Sequence, residues 1–321
     1  MYNYCYYNSE EYNLWSCIFF DKINKYNINS RFLSSNKNIN ENTVIHNLDY
    51  KWDLINLSKN PSISFDFLEN LIKKDKINYD EIDLHSYYNN ICKNPTYTLE
   101  NAINEKNNII NSYTYSLNPC VTWNDIINNK NFPWDFHYLS RNRNISFQNV
   151  IDNSNQNINY SEVIKNSNNN LYFDWDYSEI IKNPIFNIKD IDKIPKLKKY
   201  KLEYFENPNF DLYEYIKIFP IKDSSEISRS IYRNENFSIK LLEDLIKLFP
   251  DFEIEYDLLG DKKNIDFDFI FSNNYNWDFH YISQNPNLTF DIIYNNDYNW
   301  DFTYMSLNTF DKERKLFLYK F

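Results

Sequence analysis

Residues 277–293 read Trp-Asp-Phe-His-Tyr-Ile-Ser-Gln-Asn-Pro-Asn-Leu-Thr-Phe-Asp-Ile-Ile. The phrase holds a Trp-Asp pair, an apolar residue followed by Ser, and an Asn eight residues after the Trp. The frame recurs at Trp52-Asp53…Leu57-Ser58-Lys59-Asn60-Pro61, at Trp134-Asp135…Leu139-Ser140-Arg141-Asn142 and at Trp300-Asp301…Met305-Ser306-Leu307-Asn308. A degenerate copy is Trp175-Asp176…Ile180-Ile181-Lys182-Asn183-Pro184. A repeat at a fixed period decides architecture before propensity does. A residue that recurs in register serves the repeat before it serves a site.

Taking the Asn as an anchor, clear copies are Asn36, Asn60, Asn94, Asn118, Asn142, Asn183, Asn207, Asn234, Asn285 and Asn308. The basic spacing is about 24 residues, stretched by insertions. The two widest gaps read as hiding weaker copies, one at Asn166 and one where Ile265-Asp266-Phe267-Asp268 matches Leu288-Thr289-Phe290-Asp291. About ten to twelve repeats result.

Three before each anchor the residue is apolar, as in Leu57, Leu139 and Ile282; three after it comes Ile63, Ile145 or Leu288. Four after it stands a small polar residue, such as Ser64, Thr122, Ser146 or Thr289. Such a side chain caps a helix by accepting from its orphan amides. Apolar pairs then follow at helical spacing, Phe65/Leu68, Phe147/Val150 and Phe290/Ile293. Each repeat therefore reads as two short helices of about two turns. The first begins at Trp-Asp and stops before Asn-Pro, because Pro disfavours helix in the residue preceding it. Helices this short need their neighbours for burial, which predicts an all-α fold, an α-solenoid of tandem helix pairs. The anchor Asn has two readings: a hydrogen-bonding ladder across repeat boundaries, or a plain turn former. Strand structure is the rival fold, but the sequence lacks period-two alternation and turn glycines. The domain reading is an N-terminal cap at 1–27, repeats over 28–310 with insertions near 69–85, 150–175 and 240–270, and a C-terminal cap at 311–321.

The 277–293 phrase resembles the Asn-Pro tandem repeats of large DNA viruses of protists, the mimivirus-like group. The likeness covers roughly residues 28–310. It is specific at 52–68, 118–150 and 277–306, and loose between 150 and 270. It implies a viral protein of the infected-cell cytoplasm or the virion, and it carries over no catalytic residue.

Composition agrees. There are 55 Asn, 29 Tyr and 25 Phe against one Gly (Gly260) and one Ala (Ala102), the mark of an AT-rich coding sequence. A single Gly excludes phosphate-cradling loops, dinucleotide fingerprints and nucleophile elbows. The net charge of −11 disfavours generic binding to nucleic acid or anionic membrane. Cys5, Cys17, Cys92 and Cys120 lack metal-ligand spacing and read as reduced thiols. With no leader pattern at the N-terminus and no apolar run that could span a bilayer, a soluble cytosolic protein is expected.

Candidate sites are few. His137 and His280 occupy one repeat phase in identical Trp-Asp-Phe-His-Tyr phrases and read as structural; His46 and His85 have no ligand partners at suitable spacing. No metal, cofactor or catalytic residue is expected. Asn144-Ile-Ser, Asn236-Phe-Ser and Asn287-Leu-Thr resemble glycosylation acceptors, but their Ser/Thr falls on the helix-cap phase. Acidic residues between Asp251 and Asp268 alternate with Phe252, Ile254 and Tyr256 and read as an exposed face. Lys193, Lys196, Lys198, Lys199 and Lys201 form the one candidate contact surface, against the plainer reading of a solvated helix face. Trp52, Trp134, Trp175, Trp277 and Trp300, with Asn60, Asn118, Asn142 and Asn285, are assigned to the repeat itself, the tryptophans packed between repeats. The functional expectation is a non-enzymatic scaffold binding protein partners. The alternatives are a structural virion component and an RNA-associated protein using the lysines.

Overall fold

The computed structural model describes residues 7, 9–74, 83–104, 112–154, 173–273 and 275–320. Asn166 and Cys5 lie outside them. Among the described residues the fold is all helical, with one isolated bridge between Ser238 and Asn264 and no strand. No helix among them is long and apolar enough to cross a membrane. The chain forms two compact units, one of Met1–Tyr97, Asn236–Lys247 and Phe252–Phe321, the other of Thr98–Glu235 and Leu248–Asp251.

Local structure follows the caps. Asp53, Asp135, Asp176, Asp278 and Asp301 are N-caps whose carboxylates accept from the first turn of Leu54–Ser58, Phe136–Arg141, Tyr177–Lys182, Phe279–Ile282 and Phe302–Met305. Ser64, Thr122 and Thr289 cap the second helices in the same manner. These first helices are four to six residues long, shorter than the expected two turns. In the loosely matching stretch the helices tighten to 3-10 geometry, Ile188–Lys193, Pro195–Glu206 and Arg229–Arg233.

The anchor Asn is both turn former and ladder. Its Oδ1 accepts from the amide two residues on, as Asn60 does from Ser62 (2.9 Å) and Asn285 from Asn287 (2.9 Å). Its Nδ2 donates to carbonyls of the neighbouring repeat. Asn60 donates to Ser34, Asn36 and Ile39 at 2.8–3.0 Å. Asn142 reaches Ser116 and Asn118, and Asn207 reaches Ile181 and Asn183. The anchors are buried, Asn60, Asn118 and Asn285 completely. An unsatisfied amide there would cost about 1–3 kcal/mol, so the bonds fix identity at this position. A second bond joins the same neighbours: the Ser two before the anchor accepts the amide of the next repeat's capping Asp, Ser34 from Asp53, Ser140 from Asp176 and Ser283 from Asp301, at 2.9–3.0 Å.

Across one of the two wide gaps, Asn183 donates directly to Ser140 and Asn142. In the other wide gap, Asn285 donates to Gly260, Lys262 and Ile265, positions −2, 0 and +3 of a hidden repeat. Lys262 stands there in the anchor place. Gly260 stands in the Ser place because a Cβ would come within 2.8 Å of the Ile282 amide nitrogen.

In the unit that holds both termini, the ladder continues from the last repeat to the first. Asn36 Nδ2 donates to Ser306 and Asn308 (both 2.8 Å), the Asn29 amide donates to Ser306 Oγ (3.0 Å), and Asn38 Nδ2 donates to Thr309 (2.8 Å). Each is the bond that sequential repeats make. The terminal segments pack on each other: Trp15 of helix Glu10–Ile23 meets Phe317 of helix Asp311–Leu318 at 5.6 Å, and Lys22 pairs with Glu313 at 3.4 Å. Phe310, fully buried, takes a left-handed backbone (φ 44°) because the last repeat is one residue short and Phe310 fills the apolar place usually three after the anchor.

Candidate functional site

The motif tryptophans are positioned by the residue that ends each second helix. Trp52 Nε1 donates to the Asn47 carbonyl (2.8 Å), Trp134 to Asn129 (3.0 Å), Trp300 to Asn296 (3.2 Å) and Trp277 to Asn273 (3.4 Å). Trp52, Trp134, Trp175 and Trp300 are at most 9% exposed. Trp277 departs from its expected packing: it is only half-buried. Its acceptor lies four residues back, as for Trp300, where Trp52 and Trp134 have five, so connection length does not set its exposure.

Trp277 lines a groove of about 700 Å³, together with Asp257, Asn276, Asp278, Phe279, His280, Asn299, Trp300 and Asp301. The groove lies within one compact unit, where consecutive Asn-Trp-Asp phrases face each other. Its aromatic wall is held by ring contacts. Tyr256 stacks on Tyr275 with centroids 3.6 Å apart and meets Trp277 edge-on at 5.9 Å; Phe279 meets Trp300 edge-on at 5.7 Å and stacks on Tyr298 at 5.2 Å. Tyr275 and Tyr298 remain exposed.

The charge in the groove is mostly negative. Asp278 Oδ1 accepts the His280 amide as a helix cap, and Asp301 Oδ1 accepts from Tyr304. Asp301 Oδ2 lies 2.5 Å from His280 Nδ1. The equivalent pair is His137 with Asp176, at 2.6 Å. Both histidines therefore serve one structural role, bridging from one repeat to the cap of the next, and Arg31 does the same toward Asp53 at 3.2 Å. Burial pushes the Asp176 carboxyl up, but hydrogen bonds from Ser178, His137 and two backbone amides outweigh it and leave the group below its usual range.

The five lysines lie on the solvated edges of the 3-10 stretch. With three residues per turn, Ile191, Ile194 and Leu197 share the buried edge, while Lys193, Lys196, Lys198 and Lys199 are exposed. Lys193 pairs with Asp190 (2.8 Å) and Lys198 with Asp192 (2.5 Å). Lys196 lies over the Tyr177 ring, Lys199 over Tyr200 and Lys201 over Phe219, at 5.6–5.7 Å. Local carboxylates thus balance part of the positive charge.

Asn287 Nδ2 donates to Lys263 and Asn144 Nδ2 to Pro119, so two of the three glycosylation-like asparagines are engaged in the ladder. Of the acidic stretch, Asp266 caps Phe267–Ser272, Asp251 accepts from Ser224 and Asp257 faces the groove. Sequence reading missed the groove because Trp277 and Asp278 carry the same motif letters as their buried counterparts. Comparison with protein-family models, curated proteins and solved structures finds no match to the chain, so the groove is read from its own residues.

Proposed function

We propose that the chain is a non-enzymatic repeat scaffold of the α-solenoid kind, which binds a protein partner through surface that the repeat leaves free. One observation carries this reading. The motif side chains that could do chemistry are already engaged in bonds between repeats: anchor Asn to carbonyls, Ser to the next cap's amide, His280 and His137 to the next cap's carboxylate. A histidine fixed on a helix-capping Asp, twice over in equivalent places, is a structural strut. What stays available is the departure from the repeat, the half-open groove at Trp277. Exposed aromatic residues beside charge suit protein recognition, where Trp, Tyr and Arg contacts dominate binding energy.

Affinity capture of the tagged chain from the cells that produce it tests the proposal. The expected result is a protein partner recovered in stoichiometric amount after nuclease treatment. Recovery of RNA alone, lost with rising salt and with reversal of Lys196, Lys198, Lys199 and Lys201 to Glu, would replace the scaffold with a nucleic-acid-binding role.

A further inference from the structure

We infer that the Trp277 groove is a receptor for an arginine-bearing basic segment of the partner protein. The inference rests on the scaffold reading and names the chemistry of the segment bound. Three observations converge on it. First, the groove's volume of about 700 Å³ falls in the range that holds a side chain with its flanking backbone. Second, its wall is aromatic and open. Trp277 is half-buried while four equivalent tryptophans are closed off, and Tyr275, which meets Trp277 edge-on, is itself exposed. An indole face attracts a cation through its ring quadrupole, and a guanidinium also stacks on it.

Third, the charge is complementary to one kind of occupant. Asp257, Asp278 and Asp301 supply three carboxylates, and the one basic group in the lining, His280, is already set on Asp301. Asp278 caps its helix through Oδ1, leaving Oδ2 for an incoming donor. A planar guanidinium can stack on the indole and fork onto a carboxylate at once, a match that neither an acidic peptide nor a phosphate backbone can make. The net charge of −11 steers a basic segment toward the chain.

Calorimetric titration of the intact protein with a hexa-arginine peptide at low salt tests the assignment. One-to-one binding is expected. Asp257→Asn with Asp278→Asn should weaken it about tenfold, since Asn retains the capping oxygen and the fold. Trp277→Leu should weaken it about threefold, and Trp277→Phe, which keeps a ring face, should restore most of the loss. Asp21→Asn with Asp66→Asn removes the same charge from exposed positions elsewhere and should leave the affinity near wild type. No one-to-one binding, or equal weakening in the remote variant, would overturn the groove as receptor. Capture of the cellular partner undiminished by the groove substitutions would overturn it too, while leaving the scaffold reading in place.

Discussion

His280 of one repeat holds the capping carboxylate of the next, with Nδ1 2.5 Å from Asp301 Oδ2. His137 and Asp176 repeat the pair, and Arg31 with Asp53 shows that the position takes a cation of either kind. The His280 side chain is largely solvent-exposed, so screening keeps the pair weak, within about 1 kcal/mol. A double-mutant cycle on His280→Gln and Asp301→Asn, read by urea unfolding, should return a coupling of about 0.3–1 kcal/mol. His280→Arg should preserve it. A coupling of several kcal/mol, or His280→Gln variants that fold normally but lose partner binding, would show that the pair is more than a strut.

The acid limb of stability should feel the other pair. The Asp176 carboxyl titrates below its ordinary range in the folded chain. A depressed carboxyl contributes stability that is present above its unfolded pKa, about 3.9, and lost as the pH falls through the lower folded value. Asp176→Asn should therefore flatten the decline in melting temperature below about pH 4. An unchanged acid limb would place the responsible carboxylates elsewhere.

Anchor asparagines should resist replacement. Asn60 is fully buried and donates to three carbonyls while accepting one amide. Asn60→Ala strands those groups and should cost about 3 kcal/mol or more. Asn60→Asp, which also lacks the donors and adds a charge, should cost at least as much. Denaturant midpoints measure both, and a change below 1 kcal/mol would mean that water replaces the ladder.

Gly260 yields a prediction against consensus. Its repeat position is usually Ser, yet a Cβ there would meet the Ile282 amide nitrogen at 2.8 Å and Ile282 Cγ1 at 2.9 Å. Gly260→Ser, the residue that repeat averaging would choose, should destabilise by about 1–3 kcal/mol. A neutral or stabilising outcome in thermal melts would show that the helix Phe279–Ile282 shifts freely.

Cysteine labelling gives a map of burial. Burial pushes the Cys92 thiol up to about 12, so it carries almost no thiolate at pH 8. Cys120 is exposed. Iodoacetamide should modify Cys120 in the native protein and Cys92 only after unfolding, as peptide mass mapping would show. Native labelling of Cys92 would contradict its burial beneath the ladder.

The parts legible in the sequence are those governed by local rules. Ser64, Thr122 and Thr289 were readable as caps because capping needs only neighbours in the chain, and the apolar places flanking Asn60 and Asn285 repeat too regularly to mistake. The Lys262 rung was visible only through its downstream match, since the bonds made there use backbone carbonyls that any residue supplies. The 3-10 geometry around Lys193–Lys201 was hidden because the i, i+3 spacing of Ile191, Ile194 and Leu197 is read as α-helical as readily as 3-10. The groove was illegible for a different reason. Trp277 and Trp300 share the same motif letters and the same four-residue connection, yet only Trp300 is closed off, a difference of surrounding packing that a motif comparison does not weigh.

The bond from Asn36 to Asn308 spans 272 residues, whereas Asn308 reaches Asn285 across 23. Closing the longer loop costs only about 2 kcal/mol more in chain entropy, yet it imposes an order in time. A ribosome delivers the Asn36 repeat 272 residues before its neighbour, so over that stretch of synthesis the repeat shows an unsatisfied amide and a bare apolar flank. At high concentration the complementary tail of a second chain competes for the same seat. Refolding is therefore expected to yield exchanged dimers in proportion to concentration, joined by the bonds that the solitary chain makes with itself.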